Sequence, residues 1–462
     1  MLRVNKSILL KKAILIFLFI SVLLIVIFFY LYYLNSRKQL NLLLISIDTL
    51  RPDHMGVYGY EKATTPYIDK WANEATIYQN AYTVAPVTLP SFIALMTGQS
   101  PLKTRIVNNR AYSLSDNALT LAELLKEKGY LTTAYVSSEI FLPEMTNLDQ
   151  GFNEFNLIPY KSNKNVSLKE YREFLSRSTT WMDVNKDKKF FLWLHLMDPH
   201  SPYLPEKSLR CKFNNSYCKT LENKDDTTLE RDRLHLKGCL SDKLPSSTVG
   251  LYETLYDGEI FQADKLVGKI LESLKSIGIS DNTMVVLYGD HGEGFDHQYY
   301  FEHGDTLYDS SIKIPLLIRY PKQYKKSNNV NPINNTDIFF LILKALNVEI
   351  PAGGWGEYNK KREYTYSFSQ NLTKFSISDG NYKYIYSIDD TCLLDKKQEE
   401  LYSLIKDKNE VNNIIGKNKN IAGFLKNKLL DYLRPYNLPQ KSAKKEKNYD
   451  KDAIEYLKSL GY

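Results

Sequence analysis

The sequence predicts an α/β fold with a largely parallel central sheet, and three observations carry that expectation. Short and almost wholly apolar runs recur at 41–47, 131–137, 190–194 and 283–288. Runs of this length without polar alternation suit strands buried on both faces. Helical patterning separates them over 66–75, 115–128 and 252–277, and such alternation indicates parallel crossovers. Three of the runs also stop at acids or imidazoles: Asp48, then His195 and His200, then Asp290 and His291. Ligands of open parallel sheets bind outside the carboxyl ends of the strands, so these ends mark the expected site.

At the N-terminus, residues 13–34 form a charge-free run of 22 residues, long enough to span a bilayer. Tyr30, Tyr32 and Tyr33 sit where an interfacial belt belongs, with four basic residues before the run and two after it. The expectation is a cytoplasmic tail at 1–12, a single transmembrane helix at 13–34, and an extracytoplasmic main domain at 41–350. Of the excess of 60 Lys and Arg over 53 Asp and Glu, six cations and no acid fall in residues 1–40. The remainder is nearly neutral, so nothing points to nucleic acid as a partner.

Between and beyond the strands, Ser115-Asp116 caps the predicted helix to Lys128, and Gly129 stops it. Residues 205–245 are polar and weakly patterned, read as an insertion loop. Cys211 and Cys218 bracket part of it and are the favoured disulfide; Cys239 and Cys392 remain, and four cysteines allow three connectivities. A strand is expected at 314–318. From about 351 to 462 a second subdomain is expected, with Tyr-rich alternation at 382–386 forming a small antiparallel sheet, a basic run at Lys441–Lys447 and a terminal helix at 450–460.

The stretch from Ala85 to Gly98 holds the candidate hydroxyl, that of Thr88. Pro90 suits a first helical turn and Thr97-Gly98 a stop. Thr88 then lies beside the positive end of a short helix, as a cap or as a nucleophile toward a bound oxyanion. Asp48, Asp290 and His291 form an O/O/N set suited to one divalent metal ion. His200, His195 and His303 are placed to stabilise charge on the leaving group or to protonate it. Six of the seven histidines fall in or near these clusters.

These blocks, in this order, resemble the sulfatase family of the alkaline phosphatase superfamily. Ile47-Asp48-Thr49-Leu50-Arg51-Pro52-Asp53 is similar to its opening metal segment, and His195 through Tyr203 to its middle histidine block. Gly289-Asp290-His291-Gly292-Glu293, with Tyr300 through Gly304 and Leu307-Tyr308-Asp309, is the strongest match, and Glu400 through Leu404 resembles the C-terminal segment. The resemblance implies an alkaline-phosphatase-like sandwich and a metal-dependent sulfuric or phosphoric ester hydrolase, with Ca²⁺ as the family's cation and Mg²⁺, Mn²⁺ or Zn²⁺ as alternatives. Three positions depart from the pattern. Thr88 stands where the family converts a Cys or Ser to formylglycine, Phe92 where it has Arg, and Thr49 where it has a second Asp. Threonine cannot yield an aldehyde, so no formylglycine is expected. Lys103 and Arg105 stand in for the basic residues that the family carries after the Thr-Gly pair. The expected substrate is a sulfated or phosphorylated glycan, lipid or small-molecule ester. Alternatives are an extracytoplasmic phosphotransferase or phosphodiesterase acting on envelope lipids or glycans, with Asp198, His200 and His303 at a second metal, and a non-catalytic metal-binding relic.

Overall fold

The computed structural model describes residues 14–28, 40–110, 113–158, 168–350, 362–388 and 399–436. Two compact units emerge, Met1–Leu40 and Asn41–Tyr462. In the first, residues 14–28 are helical with exposed apolar side chains such as Phe17, Phe19 and Phe28. Among the described residues no helix is long and apolar enough to cross a membrane. The expected tail at 1–12 and both ends of the expected span at 13–34 lie outside the described residues.

The second unit is organised by an eight-stranded sheet. Its strands are β1 (Asn41–Ile47), β2 (Thr76–Tyr78), β3 (Leu131–Val136), β4 (Glu154–Leu157), β5 (Phe190–Leu196), β6 (Thr283–Gly289), β7 (Leu316–Arg319) and β8 (Ser327–Asn329). The spatial order is β8-β2-β7-β6-β1-β5-β3-β4. Pairings of β1 with β5 and β6, β3 with β4 and β5, and β8 with β2 are parallel, whereas β7 runs antiparallel to both neighbours. Every residue of β1, β5 and β6 is buried, because helices cover both faces of a parallel sheet and the strands need apolar side chains on each. The register sets Ile47 beside Leu196 and Gly289, so the three central strands end level with one another. That alignment brings Asp48, Met197 and Asp290 to one edge.

Four helices surround the site or support it: α1 (Thr88–Thr97), α2 (Ser246–Ser276), α3 (Asn335–Ala345) and α4 (Lys419–Leu433). All ten residues of α1 are buried. It stops at Gly98, whose φ of 65° is left-handed and where an added Cβ would lie 2.6 Å from Phe339 on α3. Both constraints require glycine. The C-terminal part forms an antiparallel sheet of β9 (Thr365–Phe368), β10 (Lys374–Ser378), β11 (Tyr382–Ser387) and β12 (Glu399–Ser403), as the alternation predicts. Its core joins residues of α4 to Val84, Ala85 and Ala94 around α1. The predicted run at 441–447 and helix at 450–460 lie outside the described residues.

Two local expectations are corrected. The helix predicted from Ser115 starts at Leu121 instead, because Thr120 and Glu123 form a reciprocal capping box there, each bonding the other's backbone N–H. The insertion at 205–245 is not a loop: it holds helices Cys218–Glu222 and Asp226–Leu236. Asp225 caps the longer one at Thr228 N, and Leu229 from it is buried in the main core. Cys211 and Cys218 are bonded, as favoured. Cys239 is disulfide-bonded too, and Cys392 lies outside the described residues.

Candidate active site and metal centre

Where β1 and β6 end, the chain turns sharply and its backbone fixes the side chains. Thr49 adopts φ 52°, a strained conformation for a β-branched residue. It is held from both sides: Thr49 N donates to Asp290 Oδ1 at 3.1 Å and Tyr256 Oη donates to Thr49 O at 2.6 Å. Thr49 is thus held through its backbone, while its buried Oγ1 has no hydrogen-bond partner among the described residues. Asp290 Oδ1 also accepts His291 N at 2.8 Å. The Gly292 position permits close approach of the following segment, since a Cβ there would lie 1.9 Å from Ser310 O.

Asp48, Asp290 and His291 come together fully buried, with one ligand atom from each within 4.8 Å of the others. Both oxygens of Asp48 and Oδ2 of Asp290 have no hydrogen-bond partner among the described residues. His291 Nδ1 is 2.9 Å from the Gly292 carbonyl and donates its proton there. That fixes the tautomer and leaves the Nε2 lone pair facing Asp290 Oδ2 at 3.5 Å and Asp48 Oδ1 at 3.7 Å. Burial pushes the Asp48 carboxyl up to about 8. Burial and then Asp48 push Asp290 well above the usual carboxylate range. Two desolvated acids beside an imidazole lone pair are costly without a counter-charge. Their donor set, two carboxylates and one neutral imidazole, fits a divalent cation.

Thr88 meets this group directly. Its hydroxyl lies 3.2 Å from His291 Nε2 and, with the ring proton on Nδ1, is the donor. Thr88 is the first residue of α1 and Val87 is the N-cap, so the hydroxyl does not cap its helix. One turn along, Ser91 Oγ donates to Asp290 O at 2.8 Å and accepts from Asn335 Nδ2 at 2.9 Å. These bonds pin α1 to the end of β6.

The remaining histidines divide into two settings. His195 lies behind Asp48, its Nε2 3.5 Å from Asp48 Oδ2. The rings of Phe92 and Phe141 meet it edge-on at 5.1 and 5.0 Å, and burial lowers it to about 4. His200 and His303 are neighbours, with centroids 5.2 Å apart, and the His303 ring lies tilted by 36° with its centroid 4.4 Å from that of His291. Burial and His303 lower His200 to about 3; its Nδ1–H donates to Ser201 O at 2.7 Å. His303 goes the other way. Burial disfavours its charge, but Glu293, with Oε1 3.3 Å from Nδ1, outweighs that and raises it to about 9.

Glu293, which holds His303 cationic, is a candidate site residue that strand-end reasoning did not single out, although it sits two positions beyond His291. Asn109 is another, with Oδ1 accepting Leu89 N at 2.8 Å; no local pattern announces a partnership across twenty residues. Asp198 accepts from Gln262 at 2.6 Å and is not in the grouped ligand set. Lys103 and Arg105 are exposed, so the basic pair expected after Thr97-Gly98 is not turned into the site. Phe92 packs between Phe141, Trp193, His195 and Tyr288, with centroids at 5.0 to 5.8 Å.

Comparison with known proteins bears on the family and the fold. The sequence model of the sulfatase family matches residues 40–348. An ulvan-active sulfatase of Formosa agariphila is 28% identical over 345 residues, covering 69% of this chain and 63% of that protein. The N-acetylglucosamine-6-O-sulfatase of Bacteroides thetaiotaomicron is 21% identical, covering 82% of this chain and 83% of its own length. The crystal structure of the phosphonate monoester hydrolase of Agrobacterium radiobacter shares the fold with a TM-score of 0.66, at 17% identity, covering 86% of this chain and 96% of that one.

Proposed function

The chain belongs to the sulfatase family, and from that premise we propose that it is a metal-dependent hydrolase of sulfuric or phosphoric esters that uses Thr88 as its nucleophile. The observation that carries the reading is Thr88 Oγ1 at the positive end of α1, 3.2 Å from His291 Nε2, beside carboxylate oxygens without partners. Asp48, Asp290 and His291 hold the cation. When bound, it supplies the positive charge that favours an ionised hydroxyl and screens the substrate's own charge.

The chain's own residues do the rest. The Thr88 oxygen bonds to the sulfur or phosphorus as the bond to the leaving oxygen breaks. His303, kept cationic by Glu293, gives its proton to that oxygen. His200 is neutral and offers a second imidazole at the same place. His195, boxed in by aromatic rings, orients Asp48. Water or an acceptor hydroxyl then attacks the Thr88 ester, its proton passing to the now neutral His303 as the bond to the Thr88 oxygen breaks and that oxygen leaves ionised. Threonine favours the reading in which a phosphoryl group is the cargo, because formylglycine chemistry is closed to it; transfer to an acceptor in the envelope is the second reading. The 22-residue apolar run at 13–34 supports a single-pass anchor with the N-terminus cytoplasmic and this site outside. Relatives named for sulfated sugars support a sulfated glycan as substrate; a phosphorylated glycan or lipid is the alternative that Thr88 brings in.

The test is a panel of aryl sulfate, aryl phosphate monoester and aryl phosphodiester offered with Ca²⁺, Mg²⁺, Mn²⁺ or Zn²⁺. Thr88→Ala is expected to lower kcat by roughly 10⁴-fold or more. Retained activity in that variant sinks the nucleophile assignment. Intact-peptide mass spectrometry is expected to show residue 88 unoxidised.

A further inference from the structure

None of the residues placed in the site comes from the insertion at 205–245, yet the second half of that insertion is laid along the segment ending in His303. Strand Gly238–Cys239 pairs antiparallel with Tyr299–Tyr300, and that strand pairs with Phe295–Asp296. Leu240 N donates to Gln298 O at 2.9 Å, and Lys237 Nζ lies 3.0 Å from Glu302 Oε2. Arg233, on the helix Asp226–Leu236, completes the attachment, its Nη1 donating to Phe301 O at 2.9 Å. Arg233 is only 3% exposed, a burial that arginine tolerates when paired. Its Nε and Nη2 are fixed on the Glu230 carboxylate at 2.8 and 2.9 Å, and this planar fork aims Nη1 at the carbonyl.

The carbonyl it grips belongs to an unfavourable turn. Phe301 has φ 56°, a left-handed conformation that a bulky residue keeps only where its surroundings impose it. Phe301 N donates to Gly294 O at 2.6 Å, and Gly294 N donates to Glu302 O at 3.0 Å. The Tyr252 ring packs on that of Phe301 with centroids 4.6 Å apart, and Tyr252 Oη donates to Leu229 O on the insertion helix. Gly294 follows Glu293, while Phe301 and Glu302 precede His303. The register of these two backbones therefore sets the 3.3 Å between Glu293 Oε1 and His303 Nδ1.

We propose that Arg233 is a positioning residue for His303: by gripping the Phe301 carbonyl from the insertion, it holds the imidazole at the leaving oxygen, and the insertion thereby governs how well the site expels a poor leaving group. The inference rests on His303 giving its proton to that oxygen. Arg233 touches neither the ester nor the cation; it removes backbone freedom two residues from the imidazole. An acid must stand within hydrogen-bond reach of the oxygen it protonates, and a displacement of about 1 Å caused from a distance costs on the order of 100-fold. Leaving groups differ in how much of that they feel. 4-Nitrophenoxide departs readily without a proton, whereas phenoxide is the stronger base and needs one.

The test compares kcat/KM on the 4-nitrophenyl and phenyl esters of whichever class the wild type turns over, sulfate monoester, phosphate monoester or phosphodiester. That constant reports the steps up to cleavage of the leaving bond, so the later release of the Thr88 ester does not enter. The full-length protein is used with the divalent cation that supports most turnover. Arg233→Met is expected to lower kcat/KM roughly 100-fold on the phenyl ester and no more than about threefold on the 4-nitrophenyl ester, with the cation retained. A loss shared equally by the two esters marks a merely structural role and overturns the proposal, as does no loss on either or a loss of the cation. If Arg233→Met does not fold, Arg233→Lys decides, since a single ammonium lacks the fork that holds Glu230 and Phe301 O together; an unchanged ratio between the esters overturns the proposal. His303→Gln separates the failures. If it leaves the ratio unchanged, the acid assignment fails and this inference with it; if it shifts the ratio and Arg233→Met does not, this inference alone fails. In the His303→Gln background Arg233→Met is expected to shift the ratio no further, because it acts through that imidazole. No turnover of any ester by the wild type overturns both.

Discussion

Two buried groups of acids show what separates a structural ion cluster from a working one. At the C-terminal sheet, Lys383 on β11 is fully buried between Asp309 at 2.6 Å and Glu410 at 2.7 Å, with Leu307 O 3.2 Å from its ammonium. The two acids share that ammonium: Asp309 is held below the usual carboxylate range, burial being outweighed by Lys383, while burial still pushes Glu410 up to about 7. At the strand ends Asp48 and Asp290 are as deeply buried but face each other and an imidazole lone pair, and both are pushed up. The fold supplies its own counter-charge to the first group, which ties β11 to the loop after His303. At the second group the nearest cation, His303, is taken up by Glu293, leaving the Asp48 and Asp290 oxygens directed at a common point. A protein tolerates that arrangement where a ligand completes it.

The sharpest way to break the comparison is Asp290→Asn. Its kcat/KM is expected to fall by at least roughly 10³-fold, more than the loss of a single hydrogen-bond donor, and metal retention measured by mass spectrometry should drop with it. In chelator its unfolding midpoint should equal or exceed wild type, since a buried charge without a partner has been removed. Unchanged metal content and activity would falsify the assignment.

Lys383→Met should do the reverse. Removing one partner of a buried ion group costs about 3–5 kcal/mol, read as a lowered urea midpoint, while any folded fraction keeps its cation. A loss of only a few tenths of a kcal/mol would erase the distinction between the two groups.

A smaller effect comes from protons. The Asp48 carboxyl is raised from 3.8 to about 8, so the metal-free folded chain holds a proton that the unfolded chain releases. Its contribution to stability therefore falls as pH rises from about 4 to about 8. Added Mn²⁺ or Ca²⁺ should raise the urea midpoint more at pH 8 than at pH 5. Equal shifts at both values would show that the carboxylates are not the cation's ligands. The smallest expected effect is Lys103→Ala, exposed and outside both groups: kcat/KM within about twofold and stability within about 0.5 kcal/mol.

The three central strands, the small antiparallel sheet and the ligand group were all legible in the sequence. Uninterrupted apolar runs permit little but a buried parallel strand, and Asp48, Asp290 and His291 stand directly after them. The Thr120–Glu123 capping box was also written locally, although the Ser-Asp pair five residues earlier masked it. Other assignments needed partners from far along the chain. Thr88 reads as a helix cap until His291, 203 residues away, is placed 3.2 Å from its hydroxyl. His195 and His200 look equivalent on one strand end, but Phe92 and Phe141 close around the first while His303 stands by the second. Periodicity along the chain determined which strands are buried and which acids end them, because those are local matters of burial and reach. Tertiary packing alone decided which of those acids receive a counter-charge and which imidazole keeps a proton, because both depend on desolvation and distance between residues the sequence keeps apart.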